Sequence, residues 1–115
     1  MKYDLEDRTK KFSQTTIQII KEIKPNLLNK NILTQLLRAA TSVGANYREA
    51  NAASSKKDFR NKIHIARKEI QETEYWIELL AETDTALAKP LRGLWKEARE
   101  LTLIFNKISS SLKNC

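Results

Sequence analysis

Seven residues, Phe59, Ile63, Ala66, Ile70, Thr73, Ile77 and Leu80, recur in unbroken steps of four and three. A backbone with about 3.6 residues per turn gathers such positions onto one stripe, and the alternation keeps that stripe facing a partner helix. The spacing predicts one long helix from Lys56 to Thr83 with a seam of the coiled-coil kind. A strand is excluded, because its faces alternate at every second residue. A helix with one apolar stripe must bury it against other helices, so the chain has to supply partners.

Three further segments supply them. From about Asp4 to Lys24, Leu5, Phe12, Thr16, Ile19 and Ile23 follow the helical rhythm; Asp4 is the expected N-cap and Pro25 the stop. From about Ile32 to Ala53 the stripe is Ile32, Leu36, Ala40 (or Ala39), Val43, Tyr47 and Ala50, with Asn29 or Asn31 to cap it. From about Pro90 to Leu112 it is Leu91, Leu94, Ala98, Leu101, Phe105, Ile108 and Leu112, with Pro90 in the first turn, where its missing N–H is not needed. Ser55 and Asp58 resemble a capping box before the Lys56 helix. No segment reads as a strand, and the connections are short. The expected architecture is therefore all-α, a single domain over 1–115, folded as an antiparallel up-down-up-down four-helix bundle. At 115 residues it can bury a core without disulfides or metals.

The Ile32 segment departs from a plain amphipathic pattern in two ways. Its middle is thin, with Gly44 among Ala39, Ala40, Ser42 and Ala45, so a neighbouring helix can approach closely. It also carries a polar row: Arg38, Ser42, Asn46 and Glu49 share one face beside the apolar stripe. A half-buried polar row must be hydrogen-bonded. The expected partners are Glu69 and Glu72 on the next helix, since arginine pairs carboxylates in a planar fork. The row is read as a structural network rather than a ligand pocket.

These residues also carry a resemblance. LLRAATSVGANYREA, then SKKDF, then IARKEIQETEYWIELL is similar to the four-helix-bundle family first known from intervening sequences in bacterial 23S rRNA genes. That family's pattern falls here on Arg38, Ala39, Ser42, Asn46, Glu49, Ser55 and Phe59. Many members carry Glu-Gly where this chain has Glu49-Ala50, a mild change because alanine is the better helix former. The motif covers about two-fifths of the chain. The resemblance implies a homo-oligomer shaped as a pentameric ring and no enzymatic activity. It also implies a kinship with accessory proteins of diversity-generating retroelements, which bind nucleic acid and a reverse transcriptase.

Charge points the same way by a separate route. The net charge is +7, which favours polyanions, nucleic acid ahead of an anionic membrane. The Lys56 helix is polarised: six basic residues and one acid from Lys56 to Lys68, then six acids and no base from Glu69 to Asp84. This opposes the helix dipole, so helix stability alone does not explain it. The acidic half is expected to face Lys89, Arg92 and Lys96. The basic half should gather at one bundle end with Arg8, Lys10, Lys11, Arg48, Lys107 and Lys113. The candidate nucleic-acid-binding residues are Lys10, Lys11, Arg48, Lys56, Lys57, Arg60, Lys62 and Arg67. Binding would run through phosphates, with steep salt dependence, little sequence preference and RNA favoured. The alternative is an adaptor whose basic face docks an acidic protein.

Other chemistry finds little support. His64 is the only histidine and has no nearby cysteine or second histidine to share a metal. There is no glycine-rich phosphate loop and no Glu-x-x-His motif for a di-iron site. No catalytic residue, cofactor or metal is expected. Tyr75, Trp76 and Trp95 are read as packing residues. Ile17, Ile20, Leu33, Leu37, Ile65, Leu79 and Leu103 exceed a single seam and suggest a subunit interface. The single Cys115, the lack of a signal pattern and the lack of a long apolar run lead to a cytoplasmic protein with no membrane partner.

Overall fold

The computed structural model describes residues 4–112, so Lys113 and Cys115 lie outside the described residues. Four helices form: α1 (Leu5–Lys21), α2 (Lys30–Asn51), α3 (Lys56–Thr83) and α4 (Ala88–Ser111). Among the described residues there is no strand. Each helix packs on its neighbours in chain order, and α1 meets α4 to close the set. The molecule measures 45 × 21 × 21 Å. The 28 residues of α3 rise about 1.5 Å each, so this helix alone runs nearly the whole length.

Helix α3 has the expected bounds, and Ser55 Oγ accepts the N–H of Asp58 at 3.0 Å. The other ends differ. Helix α1 stops at Lys21 rather than Lys24, its last turn tightening as Glu22 and Ile23 donate to Ile19 and Ile20. The residue before a proline is pushed out of helical geometry, so Pro25 acts upstream of itself. Asp4 adopts the left-handed conformation (φ 51°), and its side chain makes no cap. Neither Asn29 nor Asn31 caps α2 through its side chain. Asn29 Oδ1 accepts from the Asn26 N–H, its Nδ2 donates to the Lys24 carbonyl, and Asn26 Oδ1 accepts from Leu28 and Asn29. This pair of asparagines builds the connection, and α2 begins two residues earlier than expected and ends at Asn51 rather than Ala53. A 3-10 turn at Thr85–Leu87, capped by Asp84, leads α4 in at Ala88, so Pro90 still falls in its first turn.

The core holds the expected seams. Leu36, Val43, Ile63, Ile70, Ile77, Leu80, Leu91, Leu101 and Phe105 are buried. Thr9, Thr16, Thr73 and Thr102 are buried among them, each hydroxyl meeting a carbonyl four residues back, which satisfies the polar atom. Leu33 is a correction: it is buried in the core, not part of a second apolar face. Ile17, Leu37, Ile65 and Leu103 are exposed, and Ile20 and Leu79 half-buried.

Candidate nucleic-acid interface

The polar row divides. Arg38 bonds to Glu72 and stands 3.5 Å from Glu69. The Oε1 of Glu69 is buried with no hydrogen-bond partner, so Arg38 is its charge contact. Trp76 Nε1 donates to Glu72 at 3.0 Å, which ties that aromatic ring into the same cluster. Ser42 and Asn46 do not reach across to α3; they donate to carbonyls of their own helix, Ala39 and Ser42. Glu49 is exposed and holds Lys62 at 2.7 Å instead. The row is continuous in sequence, but short side chains on a helix surface reach their own backbone before they reach a neighbour.

The basic residues are likewise sorted by their partners. Lys62 is half-buried against Glu49, and that hydrogen bond, with the Coulomb attraction of Glu49 and of Asp58, holds its ammonium above the usual lysine range. Arg48 lies 3.9 Å from Glu6 and shares a groove between α1 and α2 with Lys10. Lys11 belongs to a different groove, between α1 and α4, with Phe12 and Leu94. Arg67 keeps a buried Nε that has no hydrogen-bond partner. Arg8 is forked onto Glu97 at 2.7 and 2.8 Å and reaches Glu100 at 2.8 Å. Its guanidinium is held above its ordinary range, first by the Glu97 hydrogen bond, against a desolvation cost, and then by Glu100. These basic residues are therefore divided among several acidic partners and two separate grooves. The signal missed in the sequence was Glu97 with Glu100, three apart and so on one face of α4.

Lys56, Lys57 and Arg60 do come together. Lys56 and Lys57 are exposed in the first turn of α3, and with Arg60 they line an open cleft of about 660 Å³. Its apolar lining is Ala53, Phe59 and Leu112. Phe59 and Leu112, which sequence periodicity assigned to core seams, do pack against the core, but each is only half-buried and also borders the cleft.

The acidic half of α3 meets α4 through Arg99, not through the expected Lys89, Arg92 or Lys96. Arg99 stands 3.2 Å from Glu74, and Thr102 also touches that carboxylate. Trp95 donates to Glu78 at 3.1 Å, so both tryptophans are tethered to carboxylates. His64 Nδ1 faces the buried Ser109 hydroxyl at 2.9 Å. Among the described residues no group of three His, Cys, Asp or Glu could hold a metal ion, and no helix is long and apolar enough to cross a membrane.

A bundle of four helices, with an Arg38–carboxylate cluster between α2 and α3 and a lysine pair opening α3, defines the class of protein. Within that class, the chain belongs to the family described as 23S rRNA-intervening sequence protein, which it matches over residues 2–107. It is also similar to a crystal structure of a protein of unknown function from the S23 ribosomal protein family of Bacteroides thetaiotaomicron. The two share 34% identity and a TM-score of 0.78, over 90% of this chain and 96% of the other. No curated protein matches.

Proposed function

We propose that this chain is a non-enzymatic, nucleic-acid-binding bundle that works as an assembly of its own copies, with RNA as the favoured ligand and phosphates as the main contacts. The observation that carries this reading is the exposed Lys56 and Lys57, with Arg60, around the open cleft at the start of α3. A net charge of +7 adds a field that draws in polyanions. The family's description, naming a 23S rRNA intervening sequence, supports RNA as the polyanion.

The up-down-up-down course is part of the same proposal. Glu49 pairs Lys62 while Arg38 pairs Glu72, and His64 meets Ser109 while Glu78 meets Trp95. Rising numbers on one helix against falling numbers on the next support neighbours that run in opposite directions. A ring of copies, five by the family resemblance, would repeat the lysine cleft around its rim. The exposed Ile17, Leu37, Ile65 and Leu103 supply apolar surface for such contacts. The protein would act in the cytoplasm, alongside a partner such as a reverse transcriptase.

Fluorescence anisotropy with an RNA and a DNA, each at about 50 and 200 mM salt, tests the reading, because phosphate contacts weaken steeply over that range. Micromolar binding that falls with salt is the expected result. Absence of binding at low salt would sink it, and the basic face would then be an adaptor surface for an acidic protein.

A further inference from the structure

We propose that the cleft at the start of α3 takes an unstacked base of a single-stranded nucleic acid, with Phe59 as the stacking platform and Lys56, Lys57 and Arg60 on the flanking phosphates. This rests on the nucleic-acid reading above and names the form of the ligand. Three observations carry it. The cleft encloses about 660 Å³, which lies within the range of about 300–1,000 Å³ typical of small-molecule sites and leaves room for a planar ring. Phe59 is the one aromatic ring among its lining residues, and Leu112 and Ala53 complete an apolar wall. The two exposed lysines stand two and three residues before Phe59 and line the same cleft.

A basic surface without a cavity would suit a duplex, which shows phosphates outward and keeps its bases stacked. A basic rim around an apolar wall suits the opposite ligand, because a base can enter only after leaving its stack. Aromatic stacking tolerates any base, so the cleft selects for strandedness rather than sequence. The charge complementarity commits the cleft to a polyanion rather than to an apolar segment of a protein.

The test uses the whole chain and three ligands: a single-stranded RNA of about a dozen nucleotides, within the usual site sizes for such proteins, the same sequence as a duplex, and a poly-glutamate peptide. A 2-aminopurine placed in the single strand reports stacking on the unmodified protein, which removes any dependence on a variant that folds. The expected results are tighter binding of the single strand, quenching of the 2-aminopurine, and about a ten-fold affinity loss in Phe59→Leu at an unchanged circular dichroism spectrum. Lys56→Gln with Lys57→Gln should flatten the salt dependence by about 0.7 logarithmic units per lysine. Equal binding of both RNA forms, with no quenching and no effect of Phe59→Leu, would overturn this inference and leave the nucleic-acid reading standing. Binding of poly-glutamate alone would overturn both.

Discussion

A Cβ at Gly44 would stand 3.1 Å from Oγ1 and 3.3 Å from Cβ of Thr9, so α1 lies on α2 where even a methyl group is crowded. Thr9 has little freedom to yield: it is buried, and its hydroxyl is bonded to the Leu5 carbonyl at 2.6 Å. The thin middle of α2 is thus matched to one threonine. Gly93 is the contrasting case, since a Cβ there meets nothing within 4 Å.

The two glycines should respond oppositely to substitution. Gly44→Val should destabilise the fold by about 1–3 kcal/mol through overpacking. Gly93→Ala should stabilise it by up to about 1 kcal/mol, because alanine is the better helix former and the space is open. Urea unfolding of both variants checks this, and a neutral Gly44→Val would show that α1 can slide.

The Arg8–Glu97 fork ties α1 to α4, against which it packs less extensively than against α2. Both side chains are about one-third exposed, which discounts the pair to about 1 kcal/mol despite its bidentate geometry. A double-mutant cycle with Arg8→Ala and Glu97→Ala should return a coupling of that order. Amide exchange in α1 should quicken in either single variant. Zero coupling would mean that apolar packing alone holds α1.

Arg38→Ala should lower stability by about 1 kcal/mol, since the pair is half exposed on the arginine side but leaves a buried oxygen of Glu69 without its charge contact. RNA affinity should stay where it is, because the cluster lies on the Glu72 side of α3, away from Lys56. A melting temperature equal to that of the parent, or a loss of RNA binding, would refute the structural role.

Lys62 carries a pH signature. Glu49 raises its pKa above the usual 10.5, so the folded state holds the proton more tightly than the unfolded chain. A raised lysine contributes stability fully below the unfolded value and loses it as pH climbs through the folded one. The pair should therefore be intact at neutral pH and fade only above about 10.5. In Glu49→Gln the Lys62 titration, followed by carbon NMR at Cε, should move back down toward that value; an unmoved titration would show that the two groups do not interact in solution.

The helices were legible because burial follows a period that the sequence displays. Phe59 to Leu80, Leu91 to Phe105 and Leu36 to Ala50 gave their seams, and the Ser55 cap gave the start of α3. The asparagine connection was not legible, because Asn29 and Asn31 look alike as caps, and only the geometry shows that Asn26 and Asn29 bond each other's turn instead. Partner choice among charges was harder still. Lys62, Arg8 and Lys57 are equivalent in a sequence, yet one is bound by Glu49, one by Glu97 and one is exposed at a cleft.

The sequence by itself determined four helices, their order, the faces they bury and the excess of positive charge, because each is a property of local spacing or of composition. Only the tertiary structure decided which acids neutralise which bases, that the Arg38 row is a carboxylate cluster at one end, local backbone bonds in the middle and a Glu49–Lys62 pair at the other, and that Phe59 borders an open cleft. Those outcomes depend on distances between helices, and a Coulomb or hydrogen-bond partner is chosen by a few ångströms that no periodicity encodes.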